Sequence, residues 1–362
     1  MIKRKKTRSV RIGKLKIGGG APIAVQSMTK TETSDVRATV SQIKRLEASG
    51  CEVIRVAVKN IGDADAIQEI KNRISIPLVC DIHFDYRLAL KCIEGGADKI
   101  RLNPGNIRKR EDIEKVVARA KSAGIPIRIG VNSGSVADRA QGKARAAGKD
   151  LSSELVGSAV RYIKLFEEMD FRDIIISLKA SDVATTVEAY RKISGLCDYP
   201  LHLGVTASGP YDSGIIKSSI GIGALLLDGI GDTIRVSLTA DPADEVISGR
   251  RILSSLKLRN FGPEIISCPT CGRCQVDLVS IVSELDRKLS ALSFKFSAKR
   301  PVQVAVMGCE VNGPGEAKEA DIGIAAGKGS GVLFKKGKPV RRIKEKDFIK
   351  ELMRLLKFTA DS

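Results

Sequence analysis

Short apolar runs alternate with amphipathic segments along the first two thirds of the chain. From residue 21 to about 242, each apolar run is rich in β-branched residues and ends in polar or glycine residues. The segment that follows has apolar positions three and four residues apart, which is the helical period. The predicted strands span residues 23–28, 52–58, 76–83, 99–103, 126–132, 173–179, 200–206 and 232–238.

Helices are predicted between these strands, for example over residues 35–49, 112–123 and 183–196. Strands that alternate with helices form parallel sheets, and eight such units indicate an α/β fold of the TIM (β/α)8 barrel type. A doubly wound open sheet is the alternative. It would normally have fewer strands and a glycine-rich first turn, whereas Gly18-Gly-Gly20 precedes the first strand.

The pattern changes after one more helix over residues 243–258, and Asn260-Phe-Gly-Pro263 marks the predicted boundary. We therefore predict a substrate-binding barrel domain over residues 1–259 and a second domain over residues 260–362. The second domain has strands predicted at 264–267, 302–307, 322–325 and 331–334 and helices near 276–291 and 346–356. These elements predict a small α+β domain, in which residues 327–331 form a turn.

Five of the predicted barrel strands carry a cation inside an apolar run. Strands of a parallel barrel are covered on both faces, so such a charge is unfavourable unless it points into the lumen near the carboxyl ends. Asn103 and Asn132 share faces with two of these cations, because side chains alternate along a strand. The five cations are Arg55, Arg101, Arg128, Lys179 and Arg235.

Five cations at one barrel mouth repel each other unless an anion or acidic side chains compensate them. Arginine forks match phosphate oxygens in bidentate geometry, so the pattern predicts a phosphate or diphosphate substrate. Pairing with an internal carboxylate such as Asp81 or Asp182 is the alternative for any single arginine.

The chain has two histidines. His83 lies at the polar end of the third predicted strand, where barrel enzymes place catalytic groups, and we predict a catalytic role for it. His202 lies near the beginning of its strand, so a hydrogen-bonded core histidine explains it equally well.

The chain has a formal net charge of +19, but its composition does not favour a nucleic-acid partner. Aromatic residues that could stack on bases make up 4% of the chain, and Trp is absent. We expect instead a basic surface that attracts anionic substrates or acidic partners. No run of eighteen apolar residues and no apolar stretch behind the basic N-terminus occur, so we expect a soluble cytoplasmic protein with no membrane segment.

Cysteines fall into two groups. Four lie singly in apolar stretches and are predicted to be buried: Cys51, Cys80, Cys92 and Cys197. The others form Cys268-Pro-Thr-Cys271-Gly-Arg-Cys274 and a later Met307-Gly-Cys309. A structural zinc site would need a second Cys or His pair, so this spacing favours an iron–sulfur cluster with Cys268, Cys271 and Cys309 as metal ligands.

The fourth ligand has two candidates. A tight Asn312-Gly-Pro-Gly315 turn could bring Glu316 back onto the cluster, or Cys274 could complete a ferredoxin-like set. A carboxylate would be exchangeable and would leave one iron able to meet a substrate oxygen. Four thiolates would suit outer-sphere electron transfer in a non-enzymatic redox or iron-sensing protein. The spacing leaves both open.

Several long motifs, in order, resemble the 4-hydroxy-3-methylbut-2-enyl diphosphate synthase family over nearly the whole chain. They include Ala21-Pro-Ile-Ala-Val-Gln-Ser-Met-Thr29, Cys80-Asp-Ile-His-Phe84, Arg101-Leu-Asn-Pro-Gly-Asn106, Pro126-Ile-Arg-Ile-Gly-Val-Asn132, Lys179-Ala-Ser-Asp182, Lys217-Ser-Ser-Ile-Gly221, Gly229-Ile-Gly-Asp-Thr233 and both cysteine motifs.

The resemblance implies a TIM barrel joined to a [4Fe–4S] domain, in a head-to-tail homodimer. It implies that 2-C-methyl-D-erythritol 2,4-cyclodiphosphate is opened and dehydrated with two electrons from flavodoxin or ferredoxin. It also implies the cluster ligands Cys268, Cys271, Cys309 and Glu316, with Cys274 as an additional cysteine outside the set. Glu316 would leave the iron during catalysis. The substrate would be held by the five cations, Asn103 and Asn132.

One departure from the family pattern concerns the segment after the seventh strand. The family usually has Thr-Glu-Ala-Gly where this chain has Thr206-Ala-Ser-Gly209. The glutamate, a proposed proton donor, is therefore Ala207 here, and Ser208 with water or another acid would have to supply the proton.

Overall fold

The computed structural model describes residues 2–103, 106, 107, 109–134, 150–292, 302–309, 311 and 313–360. The chain divides into two compact units, Met1–Arg259 and Asn260–Ser362. Each unit has its own sheet and its own apolar core, and each is described here by itself.

The first unit begins with an antiparallel hairpin of β1 (Val10–Ile12) and β2 (Leu15–Ile17), which the sequence pattern did not predict. Its apolar residues are buried against Ala24 and Ile175, which lie at the amino-terminal ends of two barrel strands. The hairpin therefore covers the amino-terminal end of the barrel.

Eight parallel strands follow, in the order β8-β7-β6-β5-β4-β3-β10-β9. An isolated parallel bridge from Ile176 in β8 to Leu201, just before β9, joins the two ends of this order. The eight predicted strands and the TIM barrel are thereby confirmed. The strands are β3 (Ala24–Met28), β4 (Val53–Val58), β5 (Leu78–Ile82), β6 (Lys99–Leu102), β7 (Ile127–Asn132), β8 (Ile174–Lys179), β9 (His202–Leu203) and β10 (Thr233–Ile234).

Helices connect the barrel strands, and six of the eight described here begin at an Asp or Asn whose side chain accepts a backbone N–H of the first turn. Among the described helices, none has the length and apolarity needed to cross a bilayer. The helices of this unit are α1 (Val36–Ala48), α2 (Ile61–Asn72), α3 (Tyr86–Glu94), α4 (Arg110–Ala123), α5 (Leu151–Glu168), α6 (Val183–Leu196), α7 (Tyr211–Leu227) and α8 (Pro242–Ser255).

The second unit contains a five-stranded mixed sheet in the order β11-β12-β13-β14-β15. The first three strands are mutually parallel, β14 is antiparallel to β13, and β15 is antiparallel to β14. The strands are β11 (Glu264–Ser267), β12 (Gln303–Met307), β13 (Ile322–Gly327), β14 (Ser330–Lys335) and β15 (Lys338–Lys344). This confirms the predicted small α+β domain, with β15 as a strand that the sequence pattern missed.

Helices cover both faces of this sheet. On one face, Val304, Val306 and Ile324 pack with residues of α9 (Leu278–Leu292) and α11 (Phe348–Ala360). On the other face, the shorter side chains of Ala305 and Ala325 pack with α10 (Gly313–Glu319). The turn predicted at residues 327–331 is present as the connection between β13 and β14.

Candidate active site

The five predicted cations converge on the barrel lumen. Arg55 lies in β4, Arg101 in β6, Arg128 in β7 and Lys179 at the end of β8, while Arg235 directly follows β10. Burial, and then the charges of the neighbouring cations, lower the pKa values of Arg128 and Lys179 well below their ordinary values. Burial also lowers the pKa of Arg55 to about 9, although Asp81 opposes that change. The lumen therefore holds a concentrated positive charge.

Asp81, in β5, neutralises part of this charge. Its Oδ1 accepts a hydrogen bond from Arg101 Nη1 at 2.9 Å, and its Oδ2 lies 3.6 Å from Arg55 Nε. Burial alone would raise the pKa of Asp81, but the guanidinium groups of Arg101 and Arg55 outweigh it and hold that pKa well below its usual value. The ion pairing considered for Asp81 is thus present for two arginines. Asp182 instead caps α6, where it accepts from the Thr185 N–H.

Glu245, in the first turn of α8, is a second buried carboxylate beside the lumen cations. It lies 3.2 Å from Arg235 Nη2 and accepts hydrogen bonds from the Leu238 N–H at 3.0 Å and the Ser27 hydroxyl at 3.2 Å. Glu245 therefore holds Arg235, the backbone at Leu238 and Ser27 of β3 together. This role could not be predicted from the strand pattern, because Glu245 lies in a helix and not in a strand.

Arg128 and Lys179 have no carboxylate partner among the described residues. The Nε and Nη1 atoms of Arg128 are buried and have no hydrogen-bond acceptor in the described part of the chain. Lys179 Nζ lies 3.4 Å from Nε2 of His202, whose Nδ1 is 2.6 Å from the Thr233 hydroxyl. Buried donors of this kind are unfavourable unless they meet an acceptor, so the lumen is built for an anion.

The remaining predicted barrel residues lie at the carboxyl ends of their strands. Asn103 is buried directly after β6, and Asn132 ends β7 in register with Lys179 of β8. His83 follows β5, and its side chain is 41% exposed. Its Nδ1 is 3.2 Å from Asn106 Nδ2, and its Nε2 is 3.7 Å from Asp81 Oδ2. His83 is therefore partly exposed to solvent while its ring contacts both Asn106 and Asp81.

Lys99 is a lumen cation that the sequence analysis missed. It begins β6, it is fully buried, and its Nζ lies 3.4 Å from Oε1 of Gln26. Burial lowers its pKa well below 10.5, and the charges of Arg128 and Arg55 add to that effect. Period-two alternation from Arg101 could have revealed it, because Lys99 is two residues earlier in the same strand.

Ala207 and Ser208 follow β9 in the segment that departs from the family pattern. Ala207 is exposed and has a φ of 50°, in the left-handed region, while Ser208 is buried. The Ser208 hydroxyl lies 3.4 Å from the Val205 carbonyl oxygen. The Ser208 hydroxyl thus donates to a backbone carbonyl three residues earlier in the chain.

The cysteine motifs follow neighbouring parallel strands of the second unit. Ser267 at the end of β11 is in register with Val306 of β12, so Cys268 and Cys309 both leave the same end of the sheet. The Gly308 N–H donates to Cys268 Sγ at 3.4 Å, and the Gln275 N–H donates to the Gly308 carbonyl at 2.9 Å. The two cysteine loops are therefore joined by one hydrogen bond between backbone groups and one from a backbone N–H to a cysteine sulfur.

Three properties of these loops fit an iron–sulfur cluster. The donors are thiols from adjacent loops, an amide N–H already points at one sulfur, and Cys271 is exposed. Among the side chains that the structure describes, no group of three or more His, Cys, Asp or Glu residues stands ready to hold a metal ion. The side chain of Glu316 lies outside that set.

Cys274 makes contacts within its own loop and with the core of the second unit. Its thiol donates to the Val276 carbonyl oxygen at 3.3 Å, and its side chain packs against the core formed with α9 and α11. It also lies so close to Gly308 that a Cβ at that glycine would overlap its sulfur. These contacts give Cys274 a packing role in the second unit.

The expected tight turn before Glu316 is wrong. Residues Gly313–Glu319 form α10, so Glu316 lies on a short helix that begins a few residues after Cys309. Proline is favoured in the first turn of a helix, since the missing N–H would have no partner there, and Pro314 occupies that turn. The backbone position of Glu316 is therefore set by a helix and not by a reverse turn.

Both units match models of one protein family. Residues 7–250 match the GcpE TIM-barrel domain, and residues 264–358 match the GcpE protein C-terminal domain. The barrel also resembles the dihydropteroate synthase of Stenotrophomonas maltophilia, with a TM-score of 0.50 and 15% identity over 65% of this chain and 93% of that chain. A likeness at this identity concerns the fold alone.

Relatives match over nearly their full lengths. The 4-hydroxy-3-methylbut-2-en-1-yl diphosphate synthase (flavodoxin) of Caldanaerobacter subterraneus subsp. tengcongensis is 57% identical, over 98% of both chains. The protein of the same name from Bacillus subtilis (strain 168) is 52% identical, over 99% of this chain and 93% of its own length. With both of its units matched and relatives this similar end to end, the chain belongs to the GcpE family.

Proposed function

We propose that this chain converts 2-C-methyl-D-erythritol 2,4-cyclodiphosphate to 4-hydroxy-3-methylbut-2-enyl diphosphate, by reductive ring opening and dehydration in isoprenoid precursor biosynthesis. The names of its close relatives support the reaction. The observation that carries the proposal is the lumen itself, where the cations outnumber the facing carboxylates among the residues that the structure describes. A diphosphate supplies the missing negative charge.

Seven barrel residues bind the substrate in this proposal: Arg55, Arg101, Asn103, Arg128, Asn132, Lys179 and Arg235. Arg128 contributes most, because two of its buried donor atoms have no acceptor among the residues that the structure describes. Arg101 and Arg55 are oriented by Asp81, and Arg235 is oriented by Glu245. Pre-set arginines lose little conformational freedom when a diphosphate arrives, which favours affinity.

We assign proton transfer at the barrel mouth to His83. Its ring bridges Asp81 and Asn106, so it is held in position while remaining partly exposed. The family's usual glutamate is absent, since Ala207 occupies its place. Ser208 is buried, and its hydroxyl donates to the Val205 carbonyl oxygen. His83 is thus a partly exposed imidazole at the described site, and imidazole is the side chain that most often acts as a general acid or base in enzymes.

Membership of the family implies an iron–sulfur enzyme, and we propose a [4Fe–4S] cluster held by Cys268, Cys271, Cys309 and Glu316. When bound, the cluster supplies the two electrons of the reaction one at a time. Gly308 supports Cys268 with its N–H, and the pairing of the loops holds Cys309 near it. Glu316 is proposed as both the exchangeable ligand and a catalytic residue.

Further parts of the proposal concern partners. We propose flavodoxin or ferredoxin as the electron donor, and flavodoxin stands in the names of the relatives. We also propose a head-to-tail homodimer, a substrate-binding role for residues 1–259 and a cluster-binding role for residues 260–362. A reducing cytoplasm suits free thiols that must remain available to iron.

Calorimetric binding of the cyclodiphosphate tests the substrate site without requiring turnover. We expect Arg128→Ala to weaken binding by roughly 100-fold, because a charged hydrogen-bond donor is worth about 3 kcal/mol. Arg172→Ala, on the barrel exterior, is the matched control. Unchanged affinity in Arg128→Ala and Lys179→Met would exclude the proposed diphosphate site.

A further inference from the structure

One edge of the second unit carries a dense group of basic residues. Seven of the twelve residues from 335 to 346 are Lys or Arg, and one is acidic. They lie along β15, which is the edge strand of the sheet, and in the segments beside it. Six of the seven residues of β15 are exposed, and Ile343 alone is buried.

Topology divides this charge between two ends of the sheet. β15 runs parallel to β11 and β12, so Lys344 lies at the end from which the cysteine loops leave. The turn that carries Lys328 is at the same end, because the Glu345 N–H donates to the Gly329 carbonyl at 3.3 Å. Lys336 and Lys338, in contrast, lie at the opposite end of β15. The length of β15 separates the two groups by about 20 Å.

We name four residues at the cysteine end the basic edge: Lys328, Arg342, Lys344 and Lys346. All four are exposed, and none has an ion-pair partner among the described residues. Arg341, on the other face of β15, is instead paired with Glu351 at 2.7 Å. No described ion pair therefore joins the exposed side chains of the basic edge to a carboxylate.

The face of the basic edge is also the face that carries α10. Arg342 is in register with Val332, which packs against the cluster that includes Ala317 of α10. Three strand spacings, about 14 Å, separate β15 from β12, after which Cys309 lies. A protein that contacts the basic edge is thus brought close to the cysteine loops.

We propose that the basic edge is the docking surface for an acidic electron-carrier protein, whose redox group is rimmed by carboxylates. This inference rests on the proposed function, since the carrier delivers the electrons that the reaction consumes. Charge complementarity is the argument for this occupant: positive charge at the cysteine end raises the rate of encounter and orients the carrier there. Lysines also protect edge strands from pairing with other sheets, but that role does not depend on which end carries them.

Two double variants of the reconstituted holoenzyme separate docking from edge protection. K328E/K344E reverses charge at the cysteine end, and K336E/K338E makes the same change at the far end. The measurement is the dissociation constant for a labelled acidic flavodoxin, by fluorescence anisotropy, at low and high ionic strength. Turnover with a small chemical reductant serves as the second readout. Thermal melts check that both variants fold.

At low salt we expect K328E/K344E to weaken flavodoxin binding at least about tenfold and to remove most of its salt dependence. K336E/K338E should change the dissociation constant less than about threefold, and both variants should turn over normally with the small reductant. The docking proposal would be overturned if the two double variants weakened flavodoxin binding equally. It would also be overturned if K328E/K344E left flavodoxin binding unchanged. If the unsubstituted holoenzyme showed no turnover with the small reductant, that result would instead contradict the proposed function. The comparison of flavodoxin binding between the two variants does not depend on turnover.

Discussion

At the scale of single residues, buried positive charge without matching negative charge distinguishes the lumen. Lys99 is the extreme case, since it is fully buried and its described hydrogen bond is a long one to Gln26. The apolar hairpin β1–β2 covers the end of the barrel at which β6 begins. Such a lysine destabilises the fold unless an anion in the lumen compensates it.

Replacing Lys99 by Met should therefore stabilise the substrate-free protein by roughly 1–4 kcal/mol, as buried charges replaced by apolar groups often do. The folded-state pKa of Lys99 is lowered from 10.5, so the unfolded chain binds a proton that the folded chain does not. The stability of the unsubstituted protein then rises with pH up to about 10.5, and the advantage of the variant shrinks over that window. Urea unfolding at pH 7 and pH 10 checks this, and an advantage that grows with pH would contradict it.

Cys274 and Cys271 should respond oppositely to removal of the thiol. Cys274→Ala should keep its iron after anaerobic reconstitution and lose only packing, because its thiol is turned toward Val276. Cys271→Ala should lose most of its iron, since its exposed thiol is a proposed ligand. Iron content and Mössbauer spectra measure this. Iron loss in Cys274→Ala equal to that in Cys271→Ala would make Cys274 a ligand.

The five strand cations could be found from sequence because each interrupts an apolar run, and alternation then assigns it to the lumen. Lys99 was not predicted as a lumen cation because it is the first residue of β6 and has no apolar residue before it in the strand. Glu245 escaped for another reason. It reaches Arg235 from α8, and contacts between elements do not follow from the period of either element.

At the scale of elements, the eight barrel strands could be predicted because they are buried on both faces and therefore form apolar runs. Strand β15 was missed because its sequence, Lys-Pro-Val-Arg-Arg-Ile-Lys, has one buried residue and suits an exposed edge. The hairpin β1–β2 was missed because each strand has three residues. Helix α10 was mistaken for a turn because Gly313-Pro-Gly315 favours turns locally, whereas packing of Ala317 against the sheet stabilises a helix.

Glu245→Gln tests how α8 positions the end of β10. Loss of the carboxylate charge leaves Arg235 without its ion pair, and we expect unfolding to become about 3 kcal/mol easier. Affinity for the cyclodiphosphate should fall as well, because the orientation of Arg235 is lost. Asp244→Asn, beside it in the same helix turn, is the control for the change of charge. Unchanged affinity and stability in Glu245→Gln would remove the positioning role.

At the scale of the whole molecule, positive charge is concentrated differently in each unit. The barrel unit holds cations inside the lumen, where we propose that they bind a small diphosphate. The second unit holds cations on the surface of β15, where we propose that they attract an acidic protein. Both groups contribute to the net charge of +19.

Inorganic pyrophosphate should stabilise the substrate-free protein. At 100 times its dissociation constant, a ligand of the folded state contributes about 2.7 kcal/mol, which corresponds to a rise in melting temperature of roughly 5–10 °C. Differential scanning fluorimetry measures this, with sodium chloride at equal ionic strength as the control. Arg128→Ala should lose most of the rise. A rise that persists in Arg128→Ala would place pyrophosphate elsewhere.

Turnover of the cyclodiphosphate by the anaerobically reconstituted protein, with a small chemical reductant, is the most direct measurement. We expect 4-hydroxy-3-methylbut-2-enyl diphosphate as the product, formed despite Ala207 in place of the family's glutamate. We also expect a large loss of rate in His83→Gln with the iron content unchanged. A protein that carries its full iron complement and binds the substrate, yet forms no product, would contradict the proposed function.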